Sequence, residues 1–188
     1  MIKKVLIPII AGNEEIETSC IYSILSRAGN KVTLSKCNIN NESSLNVKLS
    51  RGLNIKANCF LSSDMKDKFD LVVLPGGLAW AKNYNKCEML KEMLRYRKEK
   101  GLLYGGICAT PGVFLAKNKL LSTKGTCFPT FMNIVMENGY LYENKPYVID
   151  RNVLTGRGAG DAMTYALNLV KIINGVNSYY NVKRGLLL

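Results

Sequence analysis

Tyr104-Gly105-Gly106-Ile107-Cys108-Ala109-Thr110-Pro111-Gly112 closes an apolar run on a cysteine and then turns into a segment of helical composition. A thiol on such a turn sits at a helix N-terminus, where partial positive charge favours the thiolate. The chain contains no histidine. Whatever Cys108 does, it does without an imidazole base.

Working outward, short aliphatic runs alternate with longer amphipathic stretches. Residues 4–10 read as a strand and 14–28 as a helix stopped by Gly29-Asn30. Strands follow at 31–37 and 69–74, the latter breaking at Pro75-Gly76-Gly77. Residues 38–44 read as a loop and 45–59 as a short antiparallel excursion. A charged helix is expected over 87–100, the strand delivering Cys108 over 102–107, and helices over 109–117, 130–138 and 159–174. Residues 147–150 and 153–155 read as a late strand pair. Alternation of this kind predicts a mostly parallel sheet covered by helices on both faces. In such a sheet reactive groups gather at the carboxyl ends of the strands. Glu17, Gly76-Gly77 and Cys108 each follow a strand and are placed to converge there.

The 188 residues suffice for one buried core, so a single domain over 1–188 is expected. The net charge of +12 is spread through helices and loops without interleaved aromatics, so specific nucleic-acid binding is not expected. Six cysteines at wide, irregular spacing and without Cys-x-x-Cys read as reduced thiols, and no metal site is expected. Residues 1–10 superficially imitate a secretion signal, but Pro8 and the following Glu14-Glu15 favour a buried first strand. No stretch is long enough to span a bilayer, and a cytoplasmic location is expected. Cys20, Cys37, Cys59, Cys87 and Cys127 read as structural, and Glu14 and Glu15 as solvated.

Ala11-Gly12-Asn13-Glu14-Glu15-Ile16-Glu17-Thr18, Val72-Val73-Leu74-Pro75-Gly76-Gly77, Gly106-Ile107-Cys108-Ala109-Thr110-Pro111 and Arg157-Gly158-Ala159-Gly160 occur in an order that resembles the ThiJ/PfpI superfamily. The resemblance is to the branch of the Parkinson's-disease-associated protein deglycase, and it covers nearly the whole chain. It implies a flavodoxin-like three-layer sandwich, a homodimer, no cofactor, and reactive aldehydes or glycated side chains as substrates. Carried over by position, Cys108 is the nucleophilic, oxidisable cysteine and Glu17 the buried glutamate beside it. Gly76, Gly77 and Ala109 form the anion-accepting pocket, and Arg27 and Arg51 match arginines near the site or the dimer interface. Arg157-Gly158-Ala159-Gly160 reads as helix start and close packing.

One departure stands out. In Thr126-Cys127-Phe128-Pro129, Phe128 occupies the position where relatives carry a histidine. PfpI-type peptidases place a histidine directly after the cysteine, where this chain has Ala109. Glutamine amidotransferases need a Cys-His-Glu triad. Both are excluded. The expected activity is that of a cofactor-free glyoxalase or deglycase converting methylglyoxal to lactate. The alternative is a redox sensor or redox-regulated chaperone acting through oxidation of Cys108 to sulfinic acid.

Overall fold

A computed structural model describes residues 2–77 and 81–188. Along the chain run β1 (Lys4–Ile9), α1 (Glu15–Arg27), β2 (Lys31–Lys36), β3 (Asn46–Lys48), β4 (Asn54–Lys56), β5 (Cys59–Phe60) and β6 (Leu71–Leu74). They are followed by α2 (Glu88–Glu99), β7 (Leu103–Ile107), β8 (Lys124–Gly125), α3 (Met132–Glu137), β9 (Leu141–Tyr142) and β10 (Tyr147–Asp150). The chain ends with β11 (Val153–Gly156), α4 (Ala162–Asn174) and α5 (Val176–Gly185). Seven strands form the central sheet in the order β10-β11-β7-β6-β1-β2-β5. All its pairings are parallel except β10 with β11.

The order explains the layers. From β1 the chain steps to β2 in one direction, and from β6 it steps to β7 in the other. Right-handed crossovers then place α1 and α2 on opposite faces, giving the flavodoxin-like sandwich. α4 packs on α1 and on α5, while α2 packs on β7. β6 is buried throughout, as are Val5, Leu6, Ile7 and Ile9 of β1. That double-sided burial is why these strands read as unbroken aliphatic runs rather than alternating ones. The reversal of direction lies between β1 and β6, and the crevice beyond their carboxyl ends is the natural ligand position of such a sheet.

Several elements differ from the sequence expectation. The 45–59 excursion resolves into the β3–β4 hairpin plus β5, which joins the main sheet beside β2. The helix expected over 109–117 is a six-residue wide-turned π-helix, Pro111–Ala116. The start of the 159–174 helix is a 3-10 turn, Ala159–Asp161, where Arg157 Nε donates to Asp161 Oδ2 at 2.7 Å. α5 was not anticipated: it is amphipathic but buries only Val182 fully, so its apolar pattern is faint.

Candidate functional site

Cys108 directly follows β7, and its backbone adopts φ +65°, a left-handed conformation unusual for a residue with a Cβ. Both of its main-chain groups are tied down. Its amide donates to Gly156 O at the end of β11 (2.9 Å), and its carbonyl accepts from Phe128 N (2.8 Å). The neighbouring segments over-determine this turn, as a strained functional residue requires. Phe128 therefore holds the elbow through its backbone, while its ring packs against Phe131 at a centroid distance of 6.4 Å.

Glu17 reaches the same place from the first turn of α1. Glu14 caps that helix by accepting from Glu17 N at 2.8 Å, which fixes where Glu17 projects. The Glu17 side chain is fully buried. Its Oε2 accepts from Gly76 N at 2.8 Å, while Oε1 meets no donor at hydrogen-bonding geometry. Gly76 is wedged between the two side chains: a Cβ there would lie 2.6 Å from Cys108 Cβ and 2.7 Å from Glu17 Oε2. Only glycine fits. Its amide, expected to help accept an anion, is instead occupied in positioning Glu17.

Burial drives the electrostatics. Desolvation raises the Glu17 carboxyl to about 7, against the opposing pull of the Cys108 thiol and the Gly76 amide. The Cys108 thiol also moves upward, through its own burial and then through the negative charge and hydrogen bonding of Glu17. The Ala109 and Gly77 amides pull the other way but do not win. This corrects the expectation of a standing thiolate stabilised by a helix N-terminus. The following helix is short, and Cys108 lies outside it. The sulfur is thus held beside a buried carboxyl whose own pKa is raised to about 7.

Asn13, to which the sequence reading gave no role, organises the site. Its Oδ1 accepts from Ile10 N (2.7 Å) and from Tyr84 Oη (3.1 Å), and its Nδ2 donates to Gly76 O (2.8 Å). Thr110 Oγ1 donates to Pro75 O at 2.8 Å. Together these bonds pin the turn after β6 against the turns after β1 and β7. The only sequence signal for Asn13 was its place between Gly12 and Glu14. Glu15 is not merely solvated: it accepts from Ser50 Oγ (2.7 Å) and Arg51 N (2.5 Å) and so anchors the β3–β4 hairpin. Arg51 is exposed on that hairpin, close to the start of α1. Arg27 stands apart, because ten residues of helix separate it from Glu17 by about 15 Å. There it lines a separate pocket with Ser178 and Asn181 of α5. Among the described residues, no three His, Cys, Asp or Glu side chains are grouped as a metal site would need.

A mostly parallel α/β sheet with a cysteine elbow and a buried carboxyl meeting at its switch point defines a flavodoxin-like protein. Comparison with known sequences gives that class a family. The profile of the DJ-1/PfpI family matches residues 3–172, and the chain belongs to that family. Protein dj-1beta of Drosophila melanogaster is 35% identical over 189 residues, covering 100% of this chain and 98% of the fly protein. Its crystal structure superimposes with a TM-score of 0.90 at 36% identity, covering 100% of this chain and 99% of that one. The Caenorhabditis elegans relative named glutathione-independent glyoxalase DJR-1.2 is 33% identical, covering 86% of this chain and 83% of that protein. The Schizosaccharomyces pombe glutathione-independent glyoxalase DJ-1 is 27% identical, covering 97% of each. Against Protein DJ-1 homolog A of Arabidopsis thaliana, 35% identical, the chain spans 43% of that protein's length. No described helix is long and apolar enough to cross a membrane.

Proposed function

We propose that this chain is a glutathione-independent glyoxalase or deglycase, in which Cys108 attacks reactive aldehydes and Glu17 moves the protons. The observation that carries this reading is the pairing of a cysteine elbow with a buried carboxyl raised to about 7, with the Gly77 and Ala109 amides facing the sulfur. The names of the worm and yeast relatives support it at the level of the family.

With methylglyoxal, the Glu17 carboxylate takes the thiol proton as sulfur adds to the aldehyde carbon, forming a hemithioacetal. Charge developing on its oxygen is received by the Gly77 and Ala109 amides, and Glu17 returns the proton to that oxygen. Glu17 then removes the hydrogen from this carbon, giving an enediolate, and delivers it to the adjacent carbon while the hydroxyl proton passes to the neighbouring oxygen, leaving a thioester of a 2-hydroxy acid. Water cleaves the thioester, freeing lactate and restoring the thiol. Water is the sole co-reactant. The scheme needs no imidazole, and it suits a chain without histidine that carries Phe128 before Pro129.

The sensor reading calls for an accessible thiol with a lowered pKa. Cys108 is buried and its thiol shifted upward; what favours the enzyme is the Glu17 carboxyl beside the sulfur, which can take the proton as the sulfur adds to an aldehyde. The test is lactate formation from methylglyoxal by purified protein without glutathione. Wild type is expected to turn over and Cys108→Ser to fall to background; unchanged turnover in Cys108→Ser would sink the assignment.

A further inference from the structure

A chain of buried hydrogen bonds runs from Tyr84, on the 3-10 turn Ala81–Lys86, to the Glu17 carboxyl. Tyr84 is fully buried, and its ring packs on Phe114 at a centroid distance of 5.6 Å. Its hydroxyl faces two acceptors, Pro8 O at 3.0 Å and Asn13 Oδ1 at 3.1 Å, so its proton serves both. The Ile10 amide can only donate, which fixes the carboxamide atom 2.7 Å from it as Asn13 Oδ1. Asn13 Nδ2 is thereby turned onto Gly76 O at 2.8 Å, and Gly76 N donates to Glu17 Oε2 at 2.8 Å.

We propose that Tyr84 is a positioning residue for the Cys108–Glu17 pair, acting through Asn13 to hold the Gly76 amide on the Glu17 carboxylate. This role deepens the catalytic reading above and rests on it. Tyr84 hydrogen-bonds to neither Glu17 nor Cys108, so its effect passes through the peptide at Gly76. Packing alone does not call for its hydroxyl, since a phenylalanine ring would fill the same space against Phe114. What the hydroxyl adds is a donor for a fully buried carboxamide, and that carboxamide orients the one peptide whose N–H touches the base.

The Gly76 amide on Oε2 favours the charged form of the carboxyl, which is the form that accepts the thiol proton. Glu14 N also donates to Gly76 O, at 3.1 Å, so loss of the Tyr84 link loosens this peptide without freeing it. Cys108 after β7, Glu14 and Cys20 along α1, and Tyr84 itself are the titratable groups that act on Glu17 or sense its charge.

The test is Tyr84→Phe in the full chain, which keeps the ring and removes the hydroxyl. The ionisation midpoint of Glu17 is read by difference infrared titration of its carboxyl band, with Glu17→Gln identifying the band. The midpoint is expected to rise by about half a pH unit, the effect of one weakened hydrogen bond. At neutral pH kcat for methylglyoxal should fall about threefold with KM unchanged. Asn85→Ala is the structural comparison. Asn85 donates to Val113 O at 3.0 Å, so that variant loosens the same turn without touching Asn13, and its midpoint should stay at the wild-type value. An unmoved midpoint in Tyr84→Phe, or an equal rise in Asn85→Ala, overturns the proposal. Asn13→Ala breaks the chain at its middle link and repeats the measurement should Tyr84→Phe fail to fold. The midpoint is read without substrate. A wild type without turnover therefore contradicts the glyoxalase reading, whereas turnover with an unmoved Tyr84→Phe midpoint contradicts the role given to Tyr84.

Discussion

Replacing Glu17 with glutamine should make stability less sensitive to pH, by an amount the structure sets. The carboxyl is fully buried, and desolvation raises it from 4.5 to about 7 in the folded state. The folded protein therefore holds this proton more tightly than the unfolded chain does. The stabilisation is complete below about pH 4.5 and is lost as pH rises through about 7, where the folded state must bury a charge. The rise from 4.5 to about 7, at about 1.4 kcal/mol per pH unit, amounts to ~3–4 kcal/mol, of which ~3 kcal/mol falls between about pH 4 and about pH 8. Glu17→Gln keeps an acceptor for Gly76 N and cannot ionise. Relative to wild type, the variant should gain ~3 kcal/mol between about pH 4 and about pH 8, whatever its offset at the acid end. For a chain of this size that is a relative gain in Tm of about 6–12 °C. Paired urea or thermal unfolding curves at the two pH values measure it, because all other titrating groups are common to both proteins. Parallel curves would refute the reasoning, since they would mean that Glu17 ionises in the folded state as freely as in the unfolded one.

Other outcomes follow from the same contacts. Gly76→Ala should lose at least tenfold in turnover and about 1–3 kcal/mol in stability, because its methyl would collide with Cys108 Cβ, Ile107 O and Glu17 Oε2; assay and urea denaturation check both. Gly105→Ala should compromise folding itself, since a Cβ there overlaps the Leu154 carbonyl where β7 pairs with β11, and expression with circular dichroism reads the result. Arg97→Met should cost about 3 kcal/mol or more by denaturant titration. The buried guanidinium donates to the carbonyls of Lys66, Phe69, Asp70 and Leu103, and the variant leaves all four without that partner.

Much of the architecture was legible because double-sided burial writes itself into sequence. Val72, Val73 and Leu74 could hardly be anything but a central strand, and the turn at Pro75-Gly76 is marked by its composition. The convergence of Glu17, Gly76 and Cys108 followed from three strand ends in one parallel sheet. What escaped depends on distances that no local pattern encodes. The width of the helix after Cys108, the depth of Glu17 and the resulting upward shift of the thiol all arise from packing of remote segments. Asn13 looked like a loop residue, yet its carboxamide joins three turns. Arg27 matched by position but projects from the far end of α1.

The account rests on Glu17 acting as the base for Cys108 in a chain without histidine, and the pH profile of kcat/KM for methylglyoxal tests this most directly. Wild type should rise through about 7 as the carboxylate forms. Glu17→Gln, shown to be folded, should fall by at least about a hundredfold and lose that limb. A Glu17→Gln protein that keeps both its rate and the same rise would contradict the account.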